Sequence, residues 1–305
     1  MCCLFGFVDY AGSLSVKQKC RLIRELSIAA EVRGTDATGI AYNTSRGLQI
    51  YKRPLAAHRL HLRIPAEAHV VMGHTRMTTQ GSAKKNYNNH PFFGCVKGKR
   101  FALAHNGVLW NDRGLRHTKH LPKTKIQTDS YVAVQLLEQQ KALDFDSLAK
   151  MAEQVEGSFS FAVLDEQDAL WLVKGDNPLT IVHFPAAGVY VYASTAEILN
   201  KALARCGNWL GRGEKVDIAM GDIVKIDSRG HITHGTFDVS KFYCPSWGYW
   251  DTSLYPRALH SEEEHLALLK SVAKSFGFTS GMIDRLLEQG FSTDDIEELL
   301  YDGGY

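Results

Sequence analysis

Short apolar runs alternate with polar, glycine-bearing loops over the first 240 residues of this 305-residue chain. Runs of alternating or β-branched apolar residues predict strands, and apolar positions at helical spacing predict helices. The predicted strands are 3–9, 39–42, 48–51, 68–73, 101–105, 158–165, 169–174, 180–184, 188–194, 222–227 and 231–236; the predicted helices are 15–30, 129–140, 145–155 and 195–203. Strands at both ends with helices between them indicate an α+β domain of stacked layers.

The pattern changes near residue 240. An aromatic-rich stretch covers 241–260 and predicts a packed linker. Three short helical patterns follow, with Ser280 and Ser292 at expected helix starts and glycines at expected helix ends, over 262–276, 280–289 and 293–301. We therefore predict a main domain over 2–240, a linker over 241–260 and a small helical tail over 261–305.

Composition and charge narrow the functional classes. The chain is 45% hydrophobic and 22% charged, with a net charge of +2, so it gives no reason to expect nucleic acid or an acidic membrane surface as a partner. No apolar stretch approaches the ~20 residues needed to cross a bilayer. Six scattered cysteines without a CxxC pair argue against a disulfide framework or a zinc site. We therefore expect a cytoplasmic protein.

Cys2 is the most informative residue, because removal of Met1 makes it the N-terminal residue. It then carries a thiol nucleophile and an α-amine whose ordinary pKa, about 7.7–8, suits a general base at neutral pH. The alternative from position alone is a small apolar residue that begins a strand.

Four loops combine polar residues with glycine or with a candidate helix start: 33–39, 73–81, 104–108 and 127–130. Each loop has a structural explanation when taken alone. Asn106-Gly107 is typical of a hairpin turn, and Thr128-Asp129-Ser130 is typical of a helix cap.

Together with Cys2, the loops resemble the glutaminase domain of class II glutamine amidotransferases, which are N-terminal-nucleophile hydrolases. The likeness covers about residues 2–236 and is greatest to the glutaminase half of glucosamine-6-phosphate synthase. The motifs that carry it are Met1-Cys2, Arg33-Gly34-x-Asp36-x-x-Gly39, Gly73-His74-Thr75-Arg76-x-x-Thr79, His90-Pro91, His105-Asn106-Gly107 and Thr128-Asp129, with 156–159, 174–179, 192–195 and 221–223 further on. The resemblance implies a four-layer αββα sandwich, here with a small C-terminal helical appendage.

The resemblance also implies a catalytic set. Cys2 attacks the side-chain amide of glutamine, and its own amine transfers the proton. The Asn106 carboxamide and the Gly107 N–H form the oxyanion hole, while Arg33 lies near the nucleophile and favours thiolate and oxyanion.

A second set implied by the resemblance binds the zwitterionic end of glutamine. Arg76 presents a planar fork to the α-carboxylate, and Asp129 accepts the α-ammonium. Thr79 and His105 complete the expected substrate-binding residues. We expect no metal and no cofactor, and we assign the histidines at 74, 90 and 105 a structural role rather than a metal-binding one. Three positions depart from the family pattern: Cys3 replaces glycine, Met77 replaces tryptophan and Gln80 replaces histidine.

Nothing after residue 240 is long enough for a sugar-phosphate isomerase or phosphoribosyltransferase domain. The first hypothesis is therefore a glutaminase that passes ammonia to a separate protein. The alternatives are a catalytically silent protein that binds glutamine and an amidase for another γ-glutamyl compound. The helical tail is either a brace on the main domain or a docking module.

Overall fold

The computed structural model describes residues 2–240, 266, 270, 279–289 and 296. Its helices are α1 (Val16–Ala29), α2 (Asp112–Thr118), α3 (Tyr131–Gln140), α4 (Phe145–Gln154), α5 (Ala196–Cys206) and α6 (Ser280–Glu288). Its strands are β1 (Cys3–Asp9), β2 (Ala37–Thr44), β3 (Gly47–Arg53), β4 (Val70–Arg76), β5 (Phe92–Val96), β6 (Lys99–Leu109), β7 (Gly157–Asp165), β8 (Leu170–Lys174), β9 (Thr180–Phe184), β10 (Val189–Ala193), β11 (Glu214–Val216), β12 (Asp222–Ile226) and β13 (Ile232–Thr236).

The strands form two antiparallel sheets. The first has the order β11-β9-β10-β1-β4-β2-β3, and the second has the order β13-β12-β8-β7-β6-β5. β1 is the central strand of the first sheet, between β10 and β4. β6 pairs with β7 from Phe101 to Leu109, whereas β5 pairs only with the first half of β6, as far as Leu103.

Side chains of β1 alternate between two cores, as the two-residue period of a strand requires. Phe5 and Phe7 belong to the apolar cluster that the first sheet forms with α1 and α5. Leu4 and Val8 belong to the cluster between the two sheets, which also contains Ala102 and other residues of the second sheet. Every residue of β1 is therefore buried.

The opposite face of the second sheet packs against the remaining helices of the main domain. Its core contains Leu115 of α2, Leu136 of α3 and Met151 of α4, together with Phe159 of β7. The layers are thus helix, sheet, sheet and helix. This arrangement confirms the αββα sandwich expected from the sequence.

The predicted elements are nearly all present, but three details differ. The elements α2, β5 and β11, which are short or lie at the edges of the sheets, were not predicted. Asn106-Gly107 is not a hairpin turn, because it lies inside β6. The residue that precedes α6 is Thr279 rather than Ser280. Ser15, in contrast, caps α1 through a reciprocal pair of hydrogen bonds with Gln18.

The chain divides into two compact units, Met1–Tyr243 and Cys244–Tyr305. In the second unit, α6 buries Ile283 in a small apolar cluster with Ile296. The predicted linker and most of the helices expected over 262–276 and 293–301 lie outside the described residues. No helix in the described ranges is long and apolar enough to cross a membrane.

We expect Gly6→Ala to destabilise the main domain. An added Cβ would collide with the main-chain oxygen of Val71, and it would come within 2.7 Å of the Tyr192 hydroxyl. Overpacking of this kind costs roughly 1–3 kcal/mol of unfolding free energy. Gly114→Ala in α2 is the matched control, since its Cβ meets open space and alanine favours the helix. Urea unfolding of both variants measures the difference; equal stability would contradict the close approach.

Candidate active site

Cys2 lies directly before β1, where the alternation of side chains directs its thiol between the two sheets. The residue is buried, with 7% of its surface exposed, and its Sγ lies 3.5 Å from the main-chain oxygen of Met77. Burial raises the pKa of the thiol, the Arg76 charge lowers it and the Asp129 charge raises it. Cys2, Arg76 and Asp129 are therefore within electrostatic reach of one another at one end of the sandwich.

Arg33 follows α1 in a short 3-10 turn and points back to the start of β1. Its Nε donates a hydrogen bond of 2.9 Å to the main-chain oxygen of Cys2. The contact fixes the backbone that carries the thiol, and it brings a positive charge close to it.

The Asn106 side chain is fully buried beside β1. Its Nδ2 donates to Ser194 Oγ at 3.4 Å, and the same hydroxyl oxygen accepts the Leu4 N–H at 2.8 Å. Ser194 thus connects the Asn106 carboxamide with the strand that follows Cys2. The Asn106 Oδ1 has no hydrogen-bond partner among the described residues.

The Gly107 N–H lies on an uncovered edge of β6. Gly107 is opposite Phe159 in β7, and the Phe159 main chain bonds in the other direction: its N–H donates to Asp176 Oδ1, and its oxygen accepts from the Asn177 N–H. Residues opposite each other in such a pair direct their main-chain groups away from one another. Since β5 pairs only as far as Leu103, no described strand covers this N–H.

Asp129 reaches the same edge of β6 from the loop before α3. Its Oδ2 accepts the Leu109 N–H at 2.7 Å, two residues along the strand from Gly107. Ser130 does not cap α3 with its side chain; its Oγ lies 2.8 Å from His105 Nδ1. The helix-cap interpretation of this loop is therefore wrong, and both side chains bind to β6 instead.

Arg76 ends β4 with a buried guanidinium group. Its Nη1 donates to Asn89 Oδ1 at 2.7 Å, and its Nη2 donates to the main-chain oxygens of Gln80 and Gly81 at 2.6 and 3.2 Å. Thr79 lies exposed in the same loop, directly before Gln80. The orientation of the Arg76 guanidinium therefore depends on the loop that contains Gln80 and Gly81.

Asp36 anchors the start of this loop. Its N–H donates to the Arg76 oxygen at 2.9 Å, and its Oδ2 accepts the Thr78 N–H at 2.7 Å. The motif at 33–39 thus contributes two contacts, one to Cys2 through Arg33 and one to the loop after β4 through Asp36.

Three buried histidines lie behind the site. Burial lowers the pKa of His74 to about 3, and it also lowers the pKa of His90 and His105, so all three are neutral at pH 7. His74 Nε2 donates to the His105 oxygen at 2.9 Å. The His105 ring contacts Ser130 and stacks on Phe161, on the helix side of the sheet. In the described part of the chain, no group of three or more His, Cys, Asp or Glu side chains could hold a metal ion.

Comparison with known proteins finds similar amidotransferase sequences. Residues 74–201 match the sequence model of a glutamine amidotransferase domain. Glutamine–fructose-6-phosphate aminotransferase (isomerizing) from Sulfurisphaera tokodaii is 31% identical over 194 residues, which are 59% of this chain and 31% of that protein. The Bacillus subtilis protein of that name is 30% identical over 185 residues, 58% of this chain and 30% of its own length. The chain carries a class II glutamine amidotransferase domain.

Solved structures agree with the fold of this amidotransferase domain. Glutamine phosphoribosylpyrophosphate amidotransferase from B. subtilis superposes with a TM-score of 0.59 over 78% of this chain and 49% of its own, at 17% identity. The allosteric regulatory enzyme of purine biosynthesis gives a TM-score of 0.63 with the same coverage and identity. At this identity the superpositions show the fold. The chain spans only about a third of the length of the curated relatives above.

Several residues that support the candidate site were not predicted from the sequence. They have ordinary polar side chains in loops or strands, and burial alone distinguishes them: Asn89, Asn177 and Ser194. Two of the three lie in stretches that the resemblance included, 174–179 and 192–195, but it gave them no role. Lys52 also belongs to this support, since its Nζ donates to the oxygens of Asn89 and Pro91 at 2.5 and 2.9 Å.

We expect the contribution of Lys52 to stability to change above neutral pH. Burial lowers its pKa from 10.5 to about 8, so the folded state binds fewer protons than the unfolded chain between these values. The free energy of unfolding of the wild type, relative to Lys52→Met, should therefore rise with pH from about 8 to 10.5. Urea unfolding of both proteins on either side of this window measures the change. A constant difference would contradict the burial of a charged amine.

Proposed function

We propose that this protein hydrolyses L-glutamine through a thioester on Cys2 and passes the ammonia to a separate acceptor. One observation carries the proposal: a buried thiol lies within electrostatic reach of both a guanidinium, Arg76, and a carboxylate, Asp129. Two opposite charges beside one nucleophile suit a substrate that bears an α-carboxylate and an α-ammonium group as well as a reactive amide.

The thiol needs a base close by. Burial raises the pKa of Cys2, so the neutral thiol predominates at pH 7. Once Met1 is removed, the α-amine of Cys2 has an ordinary pKa near 7.7–8, and it accepts the thiol proton as the sulfur attacks the amide carbon. The Arg33 contact to the Cys2 oxygen supports this step, since it keeps the thiol and the amine in one conformation.

Attack on the amide forms a C–S bond and places a negative charge on the amide oxygen. We assign its stabilisation to the Asn106 Nδ2–H and the Gly107 N–H. An uncovered strand-edge N–H and a buried carboxamide are preorganised donors, and loss of one such donor costs about 2.7–4 kcal/mol of the activation barrier. The C–N bond then breaks, and the protonated α-amine gives its proton to the departing ammonia. Water hydrolyses the thioester to glutamate and restores the thiol.

The other end of glutamine occupies the charged part of the site. We assign the α-carboxylate to Arg76 and Thr79, and the α-ammonium to Asp129. His105 supports this arrangement indirectly, because its ring holds Ser130 next to Asp129. Met77 and Gln80 belong to the loop that contacts Arg76, so their departure from the family pattern affects closure over the substrate rather than the chemistry.

Labelling with 6-diazo-5-oxo-norleucine tests the nucleophile. We expect one adduct on Cys2, located by mass spectrometry of peptides, and glutamine should slow its formation. Cys2→Ala should remove the adduct, while Cys95, whose side chain is exposed, is the internal control for non-specific alkylation. A processed N-terminus without an adduct on Cys2 would exclude an autonomous glutaminase and leave a protein that binds glutamine without turnover.

Blocking the N-terminus tests the base. We expect a chain with an uncleaved N-terminal extension before Cys2 to lose glutaminase activity by a factor of about 10²–10⁴, the usual contribution of a general base. The control is the same protein after protease treatment that leaves Cys2 as the first residue. Glutamate and ammonia, measured in parallel, should form in equal amounts. Full activity of the extended chain would refute the role of the amine.

The rate of glutamine hydrolysis, measured with and without an acceptor, tests the transfer of ammonia. An acceptor enzyme should raise the rate of glutamine hydrolysis when it is added with its own substrate, because release of free ammonia without an acceptor consumes glutamine unproductively. The same addition to Cys2→Ala should change nothing. If the protein hydrolyses glutamine at its full rate alone, and no acceptor changes that rate, the result would favour a stand-alone glutaminase.

A further inference from the structure

We infer that Asn177 is a positioning residue that fixes the orientation of the peptide between Asn106 and Gly107. This inference rests on the proposed function, since it concerns the donor assigned to the oxyanion. Asn177 lies in the loop between β8 and β9, on the far side of β6 from the uncovered edge. It touches neither the thiol nor the proposed position of the substrate.

The Asn106–Gly107 peptide has its C=O on Asn106 and its N–H on Gly107, and Asn177 binds the C=O. Asn177 Nδ2 donates to the main-chain oxygen of Asn106 at 3.2 Å. In a trans peptide the C=O and the N–H point in opposite directions. A hydrogen bond that holds the Asn106 oxygen on one side therefore directs the Gly107 N–H to the other side. The pairing of Gly107 with Phe159 leads independently to the same direction.

Asn177 is itself held firmly. The residue is buried, and its second Nδ2 hydrogen bond goes to Ser158 Oγ at 2.6 Å. Its main-chain oxygen accepts from Ser160 Oγ at 2.7 Å, and its N–H donates to the Phe159 oxygen at 3.4 Å. Pro178 follows directly and restricts the backbone of Asn177. Its amide is thus fixed by contacts to β7, the strand next to β6.

A restraint of this kind matters because the restrained peptide ends in glycine. Gly107 has φ +139°, a conformation that side-chain-bearing residues rarely adopt, and its missing Cβ would collide with the Ser158 oxygen and lie 2.8 Å from Asn177 Nδ2. Glycine permits this geometry, but it also permits rotation of the peptide. A rotated peptide would present the Asn106 oxygen, an acceptor, where the oxyanion requires a donor. The pairing of Asn106 with Ser160 of β7 opposes that rotation, and the Asn177 hydrogen bond adds a side-chain restraint to it.

Two substitutions at Asn177 test the inference. Asn177→Ala removes the donor, and Asn177→Asp keeps the size while it places a carboxylate oxygen against the Asn106 oxygen. We expect kcat for glutamine hydrolysis to fall by about ten- to a hundredfold in Asn177→Ala and further in Asn177→Asp, with KM changed less than about threefold. Asn43→Ala is the matched control, because Asn43 is also a buried asparagine whose Nδ2 donates to a main-chain oxygen, that of Asp165, away from the site.

A transition-state analogue separates positioning from loss of structure. The γ-aldehyde analogue of glutamine forms a thiohemiacetal with a cysteine, and its oxygen would lie in the oxyanion hole. Its affinity should fall in parallel with kcat/KM in the Asn177 variants, while the affinity for the product glutamate stays within about threefold. Thermal unfolding of each variant and of Asn43→Ala reports the structural cost. A folded Asn177→Ala enzyme with wild-type kcat would overturn the inference, and so would one in which only KM is raised.

A readout without turnover keeps this test distinct from the test of the proposed function. The ¹H–¹⁵N resonance of Gly107 in the free protein should shift or broaden in Asn177→Ala and stay unchanged in Asn43→Ala. If the wild type hydrolyses no glutamine, the proposed function fails, and the resonance alone decides whether Asn177 orients the peptide. An unchanged Gly107 resonance in Asn177→Ala would overturn the inference in either case.

Discussion

Burial of β1 on both faces is the constraint on which the site depends. Its odd-numbered side chains pack under α1 and α5, and its even-numbered ones pack between the sheets. A strand held in this way cannot shift by one residue without placing the wrong set of side chains in each core. The same alternation directs Cys2 into the space between the sheets. There Ser194 links the Asn106 side chain of the second sheet to the N–H of Leu4, two residues after Cys2. Sheet packing therefore places the Asn106 carboxamide next to the start of β1.

The second sheet contributes a strand edge. β5 covers only the first half of β6, so the second half keeps main-chain groups that sheet pairing does not use. Along that edge, the His105 oxygen accepts from His74 and the Leu109 N–H donates to Asp129, while the Gly107 N–H lies between them. An exposed edge is normally a liability that proteins cover. Here the covering groups are the side chains of His74 and Asp129, and the N–H that they leave uncovered is the oxyanion donor of the proposed function.

Much of the fold could be predicted because its pattern is strong. β1, β7 and the amphipathic α1 each bury a clear periodic set of apolar residues, whereas α2, β5 and β11 are short and carry too few such residues to be recognised. The candidate residues at 2, 33, 76, 106, 107 and 129 came from a resemblance between motifs. The structure brings Cys2, Arg76 and Asp129 within electrostatic reach of one another. Arg33 binds the Cys2 oxygen, Asn106 is linked to β1 through Ser194, and Gly107 lies two residues before the strand N–H that Asp129 accepts. Local pattern alone predicted a turn at Asn106-Gly107 and a cap at Asp129, because it cannot detect the distant strands that use those groups.

The supporting residues could not be predicted from the sequence for the same reason. Asn177 binds Asn106, which is 71 positions away along the chain, and Ser194 binds Leu4, which is 190 positions away. Neither Asn177 nor Ser194 has a side chain that is reactive in itself. Their importance follows from what they hold. Ser194 binds the Asn106 carboxamide, Asn177 binds the Asn106–Gly107 peptide, and Arg33 binds the backbone of Cys2. Under the proposed function, each reactive group therefore has a partner that restricts its conformation, and such preorganisation lowers the activation barrier.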